Sequence, residues 1–193
     1  MKTLLCTLLI FSSINVLAQG TSRVVQDSNQ WLASFGFWNW TERMTLTQGL
    51  SSERDWANLQ ANSFGFGLRG SKEHWGYDLE AFFLSGKAGG GGLNSLSYQQ
   101  GNLNFSGYGG KVGLFYRTEK FIEFGVEVPA LFRNLSWPKG NTGIEIKSGS
   151  NPMITAMIFW RFRPTRGFYI EQGFGPAGAP SQSVWNMQAT ALF

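Results

Sequence analysis

Cysteine and histidine are almost absent from this 193-residue chain, which contains only Cys6 and His74. Cys6 lies in a short apolar run near the beginning, so the rest of the chain can form no disulfide and offers no catalytic thiolate. One imidazole cannot build the ligand sets typical of zinc sites, and no acidic stretch has the ligand spacing of a calcium loop. We therefore expect no metal site and no cofactor.

Long apolar runs are also missing, because no stretch after residue 18 approaches the ~20 apolar residues that a membrane helix needs. The formal net charge of +4 is scattered and forms no basic run, so nucleic acid is not an expected partner. Aromatic residues, in contrast, make up 16% of the chain, and there are 25 glycines. This combination is typical of a membrane β-barrel, in which alternation along each strand hides hydrophobicity from a window average.

The first 18 residues have the features of a signal peptide. Lys2 supplies a positive end, Leu4 to Phe11 an apolar run, and Val16-Leu17-Ala18 a small-residue cleavage pattern. The apolar run is too short to span a bilayer. We expect a signal peptide at 1–18, a periplasmic lead at 19–29 and a single barrel domain at 30–193.

Eight later segments alternate side chains with a period of two, which indicates β-strands. They cover residues 30–41, 61–70, 75–86, 102–117, 122 to about 132, 152–163, 167–175 and 185–193. The connections at 42–60, 87–101 and 133–151 are long and alternate with short turns, as in outer-membrane barrels. Within the third loop, 144–146 is a candidate strand extension. Trp38 and Trp40 are large for an inward face, and a bulge at this point could shift the facing.

The last segment alternates apolar and polar residues up to a terminal phenylalanine. This pattern resembles the C-terminal sorting signal of bacterial outer-membrane barrels, and the resemblance implies the barrel-assembly machinery as a partner. Its outward row consists of Trp185, Met187, Ala189, Ala191 and Phe193. An apolar edge strand invites pairing with other chains, whereas pairing with the first strand near Trp31 would close the sheet.

The opposite face of the strands carries glycines and ionisable residues in equal numbers of each sign. The predicted lumen charge network contains Arg69, Asp78, Glu80, Lys111, Arg117, Glu123, Glu127, Arg161, Arg163 and Glu171. A soluble sandwich or lipocalin-like barrel would have the reverse polarity, with an apolar inward face. Charges away from bulk water must be paired, and eight strands enclose just enough space for side chains. We expect a salt-bridged plug, with a narrow path for small solutes as the alternative.

The signal peptide, the alternation, the rhythm of connections and the Phe193 tail together resemble the small eight-stranded outer-membrane barrels, namely the OmpA transmembrane domain and the OmpX group. The resemblance covers the chain after the signal peptide at the level of architecture. It implies an all-β fold, an eight-stranded antiparallel up-and-down transmembrane β-barrel. It also implies a monomer in the outer membrane, in contact with outer-membrane lipid and lipopolysaccharide.

An enzyme is the other class to consider, since some eight-stranded barrels modify lipid A with a His base and a Ser nucleophile. His74 has Ser71, Glu73 and Asp78 nearby in sequence. The predicted topology places this turn on the periplasmic side, away from the outer leaflet, and the His-x-Ser-Asn arrangement of the deacylases is absent. We therefore expect no catalytic residue, and lipid A modification remains the alternative.

Two exposed tryptophans are candidate contacts for an extracellular ligand. Trp56 lies in the first predicted loop and Trp137 in the third, each among polar residues. Aromatic side chains in such positions can be binding hot spots, although they can equally pack the loop. The ligand itself is not specified by the sequence, so the expected role is structural or surface-interacting.

Overall fold

The computed structural model describes residues 28–90, 103–118, 121–135, 145–147, 151–176 and 181–193. These residues form ten strands. In chain order they are β1 (Ser28–Gln48), β2 (Ser51–Lys72), β3 (Trp75–Gly90), β4 (Leu103–Arg117), β5 (Ile122–Asn134), β6 (Glu145–Lys147), β7 (Met153–Ile154), β8 (Met157–Thr165), β9 (Phe168–Pro176) and β10 (Ser181–Leu192). No helix in this part of the chain is long enough and apolar enough to cross a membrane.

The strands close into a ring. Each strand from β1 to β5 pairs antiparallel with the next, β5 continues to β7 and β8, and β9 and β10 complete the circle against β1. At the join, Leu32 lies opposite Leu192, and the Phe193 amide donates to the Trp31 carbonyl at 3.0 Å. Because β7 and β8 both pair with β5 and together form one interrupted strand, the ring contains eight strands. The predicted eight-stranded antiparallel barrel is confirmed.

The outer surface of the ring is apolar. Outward side chains such as Trp31, Phe83 and Ile158 are 60%, 71% and 65% exposed, which a water-soluble surface would not tolerate as a continuous zone. Aromatic pairs mark its two edges, with Trp75 against Tyr116 at 5.0 Å and Tyr108 against Phe132 at 5.1 Å. We call this zone the apolar belt, and it is the surface of a barrel that spans a membrane.

The prediction of a long first loop at 42–60 was wrong. β1 continues to Gln48 and β2 begins at Ser51, so only Gly49 and Leu50 connect them, with Gly49 at a φ of 58°. Above the belt the outward face of this hairpin is in water, so its outward residues are polar, as Arg43 is, and its inward residues are apolar, as Met44 is. That reversal made the segment resemble a polar loop. We refer to this end of the barrel as the hairpin end and to the other as the terminal end.

The possible bulge at Trp38 and Trp40 corresponds to an irregularity in the strand pairing, but it does not shift the facing. The pairing of β1 with β10 is irregular between Trp40 and Glu42, yet the alternation of buried and exposed side chains continues without interruption. Both indoles point into the lumen and are at most 1% exposed. A large apolar side chain suits that position because the lumen changes character at this level.

The predicted sixth strand is interrupted. β7 pairs with β5 at Ala130 and Leu131, and β8 resumes the pairing at Glu127. Between them lies Pro129, which has no N–H to contribute to the ladder, and only its carbonyl is bonded, to the Thr155 amide at 3.3 Å. The candidate extension at 144–146 corresponds to β6, which pairs with Thr45 to Thr47 of β1.

Candidate functional site in the barrel lumen

The lumen at the terminal end is organised around Glu123 of β5. Its carboxylate lies 2.7 Å from Arg69 of β2, 2.9 Å from Arg163 of β8 and 3.1 Å from Arg117 of β4. Arg161 approaches the same group at 3.8 Å. We call these five residues the lower cluster, and they place four cations around one buried anion. Arg117 is the most exposed of the five, with its side chain 18% exposed, and the Arg163 side chain is 9% exposed.

The middle of the lumen has the opposite arrangement, with three carboxylates around Lys111 of β4. The ammonium nitrogen lies 2.7 Å from Glu171, 3.1 Å from Glu127 and 3.5 Å from Glu80. It also donates to the amide oxygen of Gln188 at 2.9 Å. We call Lys111 and these three acids the middle cluster. Neutral groups complete it, because Ser34 donates to Glu80 and Asn186 donates to Glu127 at 3.3 Å.

Arg161 connects the two clusters. Its guanidinium lies 2.5 Å from Asp78 on β3 and 2.5 Å from Glu171 on β9. The cation also stacks over the ring of Phe159 at 4.1 Å and is completely buried. All ten residues of the predicted charge network thus have an oppositely charged neighbour, and some of the pairs join strands that are not adjacent in the ring, such as Lys111 of β4 and Glu171 of β9. Such pairing is what allows charges to stay away from bulk water.

Above the middle cluster the lumen is filled by apolar side chains. Trp38 stacks on Phe82 with ring centroids 5.5 Å apart, and Trp40 meets Phe105 edge to face at 5.8 Å. We call this filling the apolar layer. Its further buried members include Met44, Leu59, Leu84, Leu131, Met153 and Val184. The Trp38 indole donates to Ser63 at 3.1 Å, so its polar atom is satisfied.

A further ion pair lies within the apolar layer, where Met44 and Leu46 follow Glu42 along β1 towards the hairpin end. Arg133 of β5 donates from Nε to the Glu42 carboxylate of β1 at 2.6 Å, and its Nη2 contacts the other oxygen. Both side chains are buried. This pair was not predicted from the sequence, because Glu42 and Arg133 fall in segments expected to be loops. Met44 and Leu46 alternate with polar residues, and Glu42 precedes them in the same period, which is the signal that could have placed Glu42 on the inward face.

Chemically, this lumen is a stack of opposed charges sealed by an apolar layer. Within the described residues, its charged side chains contact one another as ion pairs across the lumen. In the described part of the chain, no group of three or more His, Cys, Asp and Glu side chains could hold a metal ion. The arrangement can fix the shape of the barrel and exclude solutes.

The remaining candidate residues lie apart from the lumen. His74 is in the exposed turn after β2, where its Nδ1 lies 3.1 Å from the Arg117 carbonyl. Trp56 is in β2 and not in a loop, with the Arg43 guanidinium 5.9 Å from its ring centroid. Trp137 is outside the described residues. The predicted assembly row Trp185, Met187, Ala189, Ala191 and Phe193 lies on the outward face of β10 and just beyond it.

No family model and no curated protein matches the chain. Among solved structures, it is similar to Ail, the attachment invasion locus protein of Yersinia pestis. The two share 14% identity and a TM-score of 0.45, over 86% of this chain and 99% of Ail.

Two further solved structures are similar to this chain. Neisserial surface protein A shares 8% identity at a TM-score of 0.39, over 86% of this chain and 98% of its own. An outer membrane channel from Pseudomonas putida F1 shares 8% identity at a TM-score of 0.40, over 90% of this chain and 100% of the channel chain. The conclusion that this chain is an outer-membrane barrel follows from its own closed ring, apolar belt and polar lumen.

Proposed function

We propose that this protein is a sealed outer-membrane barrel that acts through its outer surface, in a structural or surface-interacting role, and does not transport solutes. The observation that carries the proposal is the double filling of the lumen. A solute would have to part the salt bridges of Lys111 and Arg161 and then displace Trp38 and Trp40. Each step leaves buried groups unpaired or opens a cavity, and either change costs several kcal/mol.

The orientation in this proposal places the hairpin end outside the cell and the terminal end in the periplasm. The β1–β2 hairpin then rises above the outer leaflet, with Arg43, Arg54 and Trp56 on its outward face. Solvent-exposed basic and aromatic groups are typical of surfaces that meet other molecules. The barrel-assembly machinery would recognise the outward row of β10, and the protein would function as a monomer.

Planar-bilayer recording of the purified protein tests the sealed lumen. We expect no stable conductance steps at neutral pH and moderate voltage. Reproducible channels of uniform size would overturn the proposal and favour the narrow solute path. Heat-modifiable migration on gels should accompany the recording, because only a folded barrel gives a meaningful absence of current.

Lipid A modification is the weaker candidate, because His74 is tied to the Arg117 backbone on the predicted periplasmic side. The lipid A profile of cells that express His74→Ala should match that of cells with the unchanged protein. Loss of an acyl-chain modification in this variant, with the barrel still folded, would make the protein an enzyme. Leu50→Ala, at a fully exposed position in the distant β1–β2 turn, is the control for expression level.

A further inference from the structure

Above the apolar belt, four strands carry a continuous row of polar side chains. Asn39, Gln60, Lys87 and Asn104 lie opposite one another in register on β1, β2, β3 and β4. All four point outward, and Gln60, Lys87 and Asn104 are exposed. Neighbouring strands are about 4.8 Å apart, so the row spans roughly 14 Å of the barrel circumference. We call this row the polar shelf.

A second polar row lies between the polar shelf and the belt. It consists of Asn62, Ser85 and Ser106, again on adjacent strands and in register. An outward groove runs between the two rows, with Phe37 of β1 beside Asn62 at one end of it. Amides and hydroxyls both donate and accept hydrogen bonds, which suits sugar hydroxyls. Lys87 adds a cation at the level where the groove meets the membrane surface.

Charge on the outer surface is uneven at this height. In the described residues, Lys87 and Arg43 are the ionisable side chains that point outward from β1 to β4 just above the belt. On the flanking strands β5 and β10, the outward positions Asn134 and Ser183 are uncharged. Among the described residues, no acidic side chain forms an ion pair with the Lys87 ammonium. The polar shelf therefore offers one accessible cation within an array of neutral hydrogen-bonding groups.

We propose that the polar shelf binds the phosphorylated sugar headgroup of an outer-leaflet glycolipid. Lys87 contacts a phosphate, while Gln60 and Asn104 on either side hydrogen-bond the sugar, and the acyl chains lie against the belt below. The apolar belt sets the depth, because only a headgroup at the membrane surface meets both the cation and the amides. This inference rests on the proposed outer-membrane placement and adds to it the site and chemical class of a lipid partner.

The test compares lipid binding by three forms of the protein purified from membranes in detergent. Lys87→Gln removes the phosphate contact. Lys72→Gln is the matched control, since Lys72 is equally exposed but lies at the terminal end of β2. We expect Lys87→Gln to bind bisphosphorylated lipid A about fivefold more weakly than the unchanged protein, the effect of one basic residue near an anionic lipid surface. Lys72→Gln should bind it as the unchanged protein does.

Two further lipids separate headgroup recognition from simple charge. Dephosphorylated lipid A should bind the unchanged protein and Lys87→Gln equally, and Gln60→Ala should weaken its binding. Phosphatidylglycerol should bind more weakly than lipid A. Equal lipid A binding by Lys87→Gln and the unchanged protein would overturn the inference, as would an equal loss in Lys72→Gln or equal affinity for phosphatidylglycerol. Absence of a heat-modifiable barrel would instead contradict the proposed function itself.

Discussion

The Glu42 carboxylate on β1 accepts hydrogen bonds from two nitrogens of the Arg133 guanidinium on β5, so one ion pair crosses the barrel interior at the hairpin end. Trp40 adds a longer contact from its indole nitrogen to the same carboxylate, at 3.5 Å. Met44 and Leu46 lie beyond Glu42 on β1, so the pair is enclosed within the apolar layer and both of its side chains are buried. Each side chain therefore depends on the other to remain buried.

Removal of one partner of this pair should be costly. Arg133→Met leaves the Glu42 carboxylate buried without its cation, and we expect a loss of about 3–5 kcal/mol in the free energy of unfolding. The double variant Glu42→Leu with Arg133→Met should recover most of that loss. Urea unfolding in lipid vesicles, followed by tryptophan fluorescence, measures both. Arg43→Met, on the exposed face next to Glu42, is the control and should change stability by less than about 0.5 kcal/mol.

Opening the apolar layer should destabilise the barrel without making it conduct. Trp38→Ala removes a buried indole that stacks on Phe82, at an expected cost of about 3–5 kcal/mol in unfolding free energy. The lower and middle clusters still fill the lumen beneath it. Single-channel recording of the folded variant should therefore show no current. Conduction by Trp38→Ala would mean that the charged clusters do not seal the lumen.

Two inward glycines provide a matched pair. A methyl group at Gly65 would overlap Glu80 Oε1 and lie 2.7 Å from Ser34 Oγ, whereas one at Gly113 meets nothing closer than Glu127 Cβ at 3.6 Å. Gly65→Ala should thus disturb the middle cluster and cost about 1–3 kcal/mol. Gly113→Ala should be neutral or stabilise by up to about 1 kcal/mol. Thermal gel-shift midpoints of the two variants provide the comparison, and equal midpoints would contradict it.

The predicted assembly signal can be separated from the lipid contacts of the same rim. Phe193→Ala keeps the backbone hydrogen bonds to Trp31 and removes only the ring. We expect less of this variant in the outer membrane, and we expect more of it to remain in the periplasm and be degraded there. Phe168→Ala removes a ring at the same rim, next to Ala191, and should insert normally. A similar defect in both variants would point to lost lipid contact and not to a signal.

Most of the fold within the membrane was predictable, because the two faces of the sheet lie in different environments and their residues therefore alternate in polarity. Outward residues face lipid and inward residues face a polar lumen, so period-two alternation fixed both strands and facing, as on β3 from Trp75 to Leu84. The hairpin was not predictable by the same rule, because its outward side faces water. Residues such as Arg43 and Thr45 then read as loop. The interruption at Pro129 depends on the register with β7 and β8, which no single strand reveals.

For the lumen, the sequence indicated which charged residues face inward but not how they pair. Lys111 gathers Glu80, Glu127 and Glu171 from three other strands. That choice depends on strand register and tilt around the closed ring, which separate strands do not encode. The apolar layer was missed because Trp38 and Trp40 conflict with a lumen that is polar throughout. The charged clusters and the apolar layer lie at different levels along the barrel axis, and these levels depend on how the strands are aligned with one another.

The unbroken course of β1 has a consequence for reading substitutions along it. From Trp31 to Phe37 its outward side chains are apolar and face hydrocarbon, and from Asn39 to Thr47 its outward side chains are polar, while the inward side chains from Trp38 to Leu46 are apolar except for Glu42. The polarity expected at outward positions of this one strand therefore reverses near Trp38. A polar-to-apolar change that favours folding at an outward position of the lower half would harm solubility at the same face a few residues later. Below Trp38 an outward position of β1 therefore favours an apolar residue, and above Trp38 it favours a polar one.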